Sequence, residues 1–253
     1  MGHEWYKDWF ADERYLALYR HRNSQEASMA LDLIENSATL PKNAAILDLA
    51  CGAGRHSINL AKRGYTNITG IDLSPTLIRE AKLTAITEGV SVNFKEQDMR
   101  FFEGRYDLIV NLFTSFGYFS TDRENEEVIL RAGKCLNPNG FFVIDFFNAA
   151  LLCEGVVAHD DKVLPSGERV EQFREIRHGR VEKKIIIYSN EGSNEFHESV
   201  RLFHLTDFER MFAHAELHII RKFGDYFGNP YDAGSSPRLF LVAKKDGKRQ
   251  DLV

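Results

Sequence analysis

The sequence predicts an α/β protein with a seven-stranded, mostly parallel sheet and a small antiparallel β insertion after the fifth strand. A buried-type strand, Ala45 to Leu49, runs directly into Gly52-Ala-Gly54, and a helix is predicted from Arg55 to about Arg63. A second strand then ends in Asp72, 24 positions after Asp48, and ribose-binding acids of doubly wound sheets lie at about that separation.

The glycine turn predicts a nucleotide site. Gly52 and Gly54 lack a Cβ where the chain turns sharply and a ligand approaches the backbone. Free N–H groups at the start of the following helix face that ligand. Such turns occur in many nucleotide-binding folds, so the turn alone does not name the nucleotide.

Five segments in order, spanning about residues 45–147, resemble the motifs of class I S-adenosylmethionine-dependent methyltransferases. They are Ile46-Leu-Asp-Leu-Ala-Cys-Gly-Ala-Gly-Arg55, Gly70-Ile-Asp-Leu-Ser-Pro75, Glu96-Gln-Asp-Met99, Tyr106-Asp-Leu-Ile-Val-Asn111 and Leu136-Asn-Pro-Asn-Gly-Phe-Phe-Val-Ile-Asp145. The resemblance implies a Rossmann-like three-layer sandwich whose last strand is antiparallel. It also implies S-adenosylmethionine as cofactor and methyl transfer to N, O or S of a small molecule.

The resemblance also assigns cofactor contacts. Asp72 would accept both ribose hydroxyls, Leu73 would pack on the adenine, and Asp98 with Met99 would read the adenine edge, although Asp98 can instead cap a turn. Asp48 can tie down the glycine turn, contact the methionine amine, or do both. The predicted cofactor set is Arg22, Asp48, Ala50, Gly52, Gly54, Asp72, Leu73, Asp98, Met99, Asn111 and Leu112.

Residues 5–22 are rich in aromatic side chains and read as an amphipathic helical segment. It is either an arm packed on the body or, as in small-molecule methyltransferases, a lid over cofactor and substrate. In the second case Arg22 would meet the cofactor's carboxylate, and Tyr6, Trp9 and Tyr15 would contact the substrate.

The loop after the fourth strand borders the expected ligand site because ligands bind outside the carboxyl ends of parallel strands. Phe116 and Tyr118 are predicted to wall the substrate pocket. The Asn-Pro-Pro-Tyr signature of adenine and glutamine methylation is absent at this point of the sequence, which weakens the DNA and release-factor alternatives.

Residues 159–204 show partial alternation and predict three antiparallel strands, forming either a flap or dimer surface or a cap over the pocket. A helix is predicted from Thr206 to Ala215 with a Thr206–Glu209 capping box. The later loop adds Tyr231 and Arg238 as substrate-binding candidates. The candidates for a general base are Tyr118, His197 and Tyr226.

The composition of the chain argues against some classes of binding partner. A net charge of −5 and three cysteines without metal-ligand spacing argue against a broad nucleic-acid face and a metal site. We find no leader and no membrane-spanning run, and we expect a cytoplasmic monomer or homodimer acting on a small-molecule acceptor. One domain, 1–253, is expected to comprise a helical arm (1–40), a cofactor core (41–150), the insertion (155–205) and a C-terminal part (206–253).

Three alternatives to a small-molecule methyltransferase stay open. An RNA or protein methyltransferase would share the cofactor site, and a non-catalytic S-adenosylmethionine-binding regulator would share the motifs. An NAD-linked oxidoreductase would share the ribose acid, but it expects a third glycine where this chain has Ser57.

Overall fold

The computed structural model describes residues 4–19 and 24–247, and Arg22 lies outside them. Its main sheet has seven strands in the order β10-β11-β5-β4-β1-β2-β3. These strands are β1 (Ala45–Leu49), β2 (Asn67–Asp72), β3 (Asn93–Glu96), β4 (Tyr106–Asn111), β5 (Leu136–Phe147), β10 (Leu217–Phe223) and β11 (Arg238–Lys245). The predicted α/β fold and its seven-stranded sheet are confirmed.

Strand β11 is antiparallel to both of its neighbours, β5 and β10, whereas the pairs from β5 to β3 are parallel. The central strands are apolar on both faces because helices cover the sheet from both sides. Residues 46, 47 and 49 of β1 and residues 142–144 of β5 are fully buried.

Two of the helices begin at side-chain caps that the local sequence provides. Ser74 accepts a hydrogen bond from the Leu77 N–H, and Pro75 occupies the first helical position of α5. A Thr121–Glu124 capping box starts α6. The helices are α1 (Trp5–Ala11), α2 (Glu13–Tyr19), α3 (Ser24–Ser37), α4 (Arg55–Lys62), α5 (Pro75–Thr87), α6 (Asp122–Cys135), α7 (Ala149–Glu154) and α8 (Leu205–His214).

The expected start of α8 was wrong. The helix begins at Leu205, and Asp207 accepts a hydrogen bond from the His204 N–H at 2.9 Å. The acid that caps this helix is therefore Asp207 and not Glu209. The pattern Thr206-x-x-Glu209 matched a capping box by sequence, but the helix starts one residue earlier.

The insertion is a second sheet of four antiparallel strands, where the sequence predicted three. Its strands are β6 (His159–Val163), β7 (Arg169–Arg177), β8 (Arg180–Ser189) and β9 (Gly192–Arg201). Strand β6 was missed because His-Asp-Asp-Lys-Val lacks apolar alternation, and none of its side chains is buried.

The arm of α1 and α2 packs between the two sheets. On the core side, Ser74 Oγ donates to the Phe10 carbonyl at 2.6 Å. On the insertion side, the Trp9 ring lies 4.4 Å from the Phe196 ring, and Lys162 donates to the Leu18 carbonyl. The arm thereby bridges the core and the insertion above the carboxyl ends of the strands.

Gly133 offers a test of helix packing away from that edge. A Cβ on this residue of α6 would lie 2.3 Å from the Ala215 carbonyl oxygen at the end of α8. We expect Gly133→Ala to lower the free energy of unfolding by about 1–3 kcal/mol, because the clash is with backbone. Urea unfolding measures the change. Gly155→Ala is the control, since its added Cβ meets nothing within 4 Å; equal destabilisation by both variants would contradict the packing.

Candidate active site

The candidate site lies at the carboxyl ends of β1, β2 and β4. Strand β1 stands between β4 and β2, so the connections from β1 and β4 leave the sheet in opposite directions. A crevice opens at such a switch point, and ligands of open α/β sheets bind there.

The turn after β1 has two glycines with different physical roles. Gly52 has φ +57°, and a Cβ built on it would meet nothing within 4 Å, so the turn presents bare backbone to open space. Gly54 has φ +80°, and its Cβ would lie 2.5 Å from Phe94 Cζ. Gly52 therefore leaves room for a ligand, while Gly54 permits packing beneath the turn.

Asp72 joins the ends of β1 and β2. Its carboxylate accepts hydrogen bonds from the Gly52 N–H at 2.9 Å and the Ser74 N–H at 2.8 Å. The side chain is buried, and burial raises the pKa of the carboxyl. These bonds fix the orientation of a carboxylate that lines the cavity beside Leu73.

Asp48 ties the strand to the helix that follows. It accepts a hydrogen bond from the Ser57 hydroxyl at 2.6 Å. Burial raises the pKa of Asp48 to about 7, with the nearby Asp72 acting in the same direction. Ser57 occupies the position where dinucleotide-binding proteins have a third glycine, and here its hydroxyl is used to hold Asp48.

Two connected cavities occupy the crevice. The smaller, of about 70 Å³, is lined by Asp72, Leu73, Asp98, Met99 and the arm residue Tyr6, among others. The larger, of about 1170 Å³, extends beneath the insertion. Residues common to both linings are Phe10, Tyr15, Ala50, Gly52, Leu77, Ser115 and Tyr118. The two cavities thus meet above the glycine turn.

The backbone at this junction is strained. Ala50, Phe113 and Thr114 all have positive φ, between 54° and 62°, at the ends of adjacent strands. Asn111 donates to the Leu49 and Ser115 carbonyls, while its buried Oδ1 has no partner within the described residues. Such strain and unsatisfied polar atoms concentrate at functional sites.

Asp145, at the end of β5, organises the far wall and was not among the predicted site residues. It accepts hydrogen bonds from the Phe113 N–H at 2.9 Å, the Tyr226 hydroxyl at 2.7 Å and Arg238 Nε at 2.9 Å. Burial raises the pKa of Tyr226, so its hydroxyl stays protonated at neutral pH and is not available as a general base. The signal was present, because the fifth motif ends on this acid.

The insertion contributes Glu198 and Lys183, which sequence reasoning also missed. Both side chains line the larger cavity, with 17% and 11% exposure respectively. Glu198 accepts hydrogen bonds from Trp9 Nε1 at 2.8 Å and the Tyr19 hydroxyl at 2.6 Å. Alternation in β9 was the available signal, since His197 and Glu198 must face opposite sides of the strand.

Several other predicted residues lie away from the cavities or are engaged elsewhere. His197 is exposed and lies 2.9 Å from Glu195, and Phe116 is buried among the rings of Phe146, Phe203 and Phe208. The Tyr231 hydroxyl donates to Asn148 Oδ1.

Other predicted residues do line the cavities, and the structure shows what holds three of them. Tyr118 donates to the Thr114 carbonyl at 2.8 Å, and Arg238 lies beside Thr114. Asp98 forms a 2.6 Å ion pair with Arg100 and also accepts its backbone N–H, so it does cap a turn while lining the smaller cavity.

Comparisons with known proteins agree with this geometry. A family model for a methyltransferase domain matches residues 46–140. The putative methyltransferase YqeM of Bacillus subtilis is 29% identical over 82% of this chain and 87% of its own length. The dTDP-3-amino-3,4,6-trideoxy-alpha-D-glucopyranose N,N-dimethyltransferase of Streptomyces venezuelae is 26% identical over 77% of this chain and 83% of its own.

The fold also matches a solved structure. The crystal structure of an S-adenosylmethionine-dependent methyltransferase from Clostridium acetobutylicum superposes with a TM-score of 0.75, covering 92% of this chain and 97% of the other at 20% identity. Residues 46–140 therefore form a methyltransferase domain, and the chain as a whole has the fold of S-adenosylmethionine-dependent methyltransferases. None of the described helices has the length and apolar composition needed to cross a bilayer.

Asp72→Asn tests the ribose contact. We expect S-adenosylmethionine affinity to fall about 10- to 100-fold, because hydrogen bonds to a charged group contribute about 1.5–3 kcal/mol. Calorimetric titration measures it. Asp107→Asn is the control, since Asp107 accepts the Ala45 N–H at the opposite end of β1. An equal loss of affinity in both variants would show a general effect on the fold.

Asp48→Asn tests the buried acid. Its folded pKa of about 7 exceeds the unfolded value near 3.9, so the folded state binds more protons between these pH values. Ionisation therefore lowers stability as the pH rises from about 4 to 7, by up to about 4 kcal/mol. We expect Asp48→Asn to be less destabilised, relative to wild type, at pH 8 than at pH 5 in urea unfolding. A constant difference would contradict the raised pKa.

Proposed function

We propose that the protein transfers the methyl group of S-adenosylmethionine to a nitrogen of a small molecule. The observation that carries this proposal is the larger cavity, which is continuous with the glycine-turn pocket and covered by the arm and the insertion. The relative from Streptomyces venezuelae, an N,N-dimethyltransferase by name, supports nitrogen as the attacking atom.

The smaller cavity fits the cofactor's adenosine by its chemistry. Asp72 offers a fixed carboxylate for the ribose hydroxyls, and Leu73 and Met99 offer apolar surfaces for the adenine. The bare backbone at Gly52 and the Asn111 amide suit the polar methionine part. When bound, S-adenosylmethionine supplies an activated methyl group on a sulfonium.

The chain's own contribution is to position the acceptor and exclude water. Trp5, Phe10, Tyr15 and Tyr118 line the larger cavity next to the junction, so an acceptor there is surrounded by rings. A fixed, desolvated approach converts a bimolecular reaction into a nearly unimolecular one. The Tyr118 hydroxyl donates to the Thr114 carbonyl. This bond favours a role for Tyr118 in lining the acceptor cavity over a role as a general base.

We also propose that the arm, within residues 1–40, acts as a lid. The smaller cavity of about 70 Å³ is well below the roughly 300–1,000 Å³ of typical ligand sites. Adenosine therefore requires the rings of Tyr6 and Phe10 to move.

The same enclosure argues against RNA or protein acceptors, because a macromolecular chain would have to displace both the arm and the insertion. A non-catalytic regulator would not need the large second cavity. We propose that the protein works in the reducing cytoplasm, in keeping with the free thiols of Cys51, Cys135 and Cys153.

Transfer of a labelled methyl group tests the function. The protein is incubated with tritiated S-adenosylmethionine and amino acids, amino-sugar nucleotides, total RNA or a protein extract. We expect label in small amines, and much less label with Asp72→Asn at cofactor concentrations below saturation, because this variant loses the ribose contact. Label confined to RNA or protein would contradict the small-molecule assignment, and absence of label despite tight cofactor binding would favour the regulator.

A further inference from the structure

Glu198 is a partly buried carboxylate that lines the larger cavity. Strand β9 directs His197 outward to solvent and Glu198 inward, where the side chain is 17% exposed. A carboxylate in such a position costs free energy unless it is hydrogen-bonded or serves a ligand. Its bonding partners show which of its oxygens is available.

The two oxygens of Glu198 have different surroundings. Oε1 accepts both hydrogen bonds of the arm, from Trp9 Nε1 at 2.8 Å and from the Tyr19 hydroxyl at 2.6 Å. Oε2 forms an ion pair with Lys183 Nζ at 3.6 Å, a separation beyond hydrogen-bond distance. Across residues 4–19 and 24–247, no group donates a hydrogen bond to Oε2, so this oxygen can accept one from a ligand.

The surroundings favour a positively charged donor. The same cavity is lined by Tyr15, Tyr19 and Tyr118, and aromatic rings attract cations, as Lys183 over the Tyr19 ring shows. Cations of the lining pair with carboxylates: Arg174 pairs with Asp160, Arg238 with Asp145, and Lys183 with Glu198 at 3.6 Å. Lys183 donates a hydrogen bond to the Tyr19 hydroxyl at 2.6 Å. This bond orients the hydroxyl that in turn donates to Glu198 Oε1.

We propose that Glu198 is the acceptor-binding residue and that the acceptor is a primary or secondary amine whose N–H is donated to Oε2. This inference rests on the proposed function and deepens it by naming the chemical class. A carboxylate cannot donate a hydrogen bond, so thiolates and carboxylates gain nothing from it. When the donor is an ammonium, both partners of the hydrogen bond are charged, which favours amines over hydroxyl analogues.

A purely structural role is the alternative, in which Glu198 only fastens the arm. Two variants separate the roles. In Glu198→Gln the amide oxygen can still accept from Trp9 and Tyr19, while an NH₂ group replaces Oε2 and opposes an N–H donor. In Trp9→Phe one arm bond is lost and Oε2 stays intact.

The experiment uses the full chain with S-adenosylmethionine and matched pairs of acceptors. These are glycine with glycolate, and an amino-sugar nucleotide with its hydroxy-sugar counterpart. Turnover gives kcat and KM, and calorimetry in the presence of S-adenosylhomocysteine gives the Kd of the amine. Thermal unfolding confirms that the variants fold.

We expect amines to be methylated and their hydroxyl counterparts to show kcat/KM at least about 10-fold lower. Glu198→Gln should raise the KM and Kd of the amine about 10- to 100-fold, with S-adenosylmethionine affinity within about twofold of wild type. Trp9→Phe should leave the amine's KM and Kd within a few-fold of wild type.

Three results would overturn the inference. Equal effects of both variants on amine and cofactor affinity would show that Glu198 only fastens the arm. Equal use of hydroxyl counterparts, or turnover of no amine in a protein that binds S-adenosylmethionine, would remove the amine assignment and leave the methyltransferase assignment intact. Failure of the wild type to bind S-adenosylmethionine would overturn the proposed function itself, and the inference with it.

Discussion

The hydrogen bond from the Gly52 N–H to the Asp72 carboxylate is the constraint on which the site depends. It joins the end of β1 to the end of β2 and is made where Gly52 takes a left-handed conformation. Parallel pairing of these strands places both ends at one edge of the sheet. Because the carboxylate is buried and already oriented, a ribose can bind without reorganising it, and the adjacent crevice opens above bare backbone.

The second layer of the site is built from distant parts of the chain. The arm supplies Trp9 and Tyr19, the insertion supplies Glu198, and together they cover the crevice. On the opposite wall Asp145 holds Phe113, Tyr226 and Arg238. Under the proposed function, the core holds the cofactor, while these additions enclose the acceptor.

How much the sequence could predict follows from the range of the interactions. The β1 turn, the Ser74 cap and the seven strands of the main sheet depend on local chemistry and on the family resemblance, and they were predicted. The His204–Asp207 cap was not predicted, because Thr206 and Glu209 match a capping box equally well by sequence. Strand β6 was not predicted, because its residues lack apolar alternation. Glu198 was missed because its partners Trp9 and Tyr19 lie about 180 residues earlier in the chain. No local pattern encodes such a contact.

The most direct test of this account is a crystal structure with S-adenosylhomocysteine bound. The account predicts the ribose hydroxyls on Asp72, the adenine between Leu73 and Met99, and the sulfur at the junction lined by Ala50, Ser115 and Tyr118. The larger cavity would then open from the sulfur toward Glu198. A ligand whose adenine fills the larger cavity, or whose sulfur is sealed from it, would contradict the account.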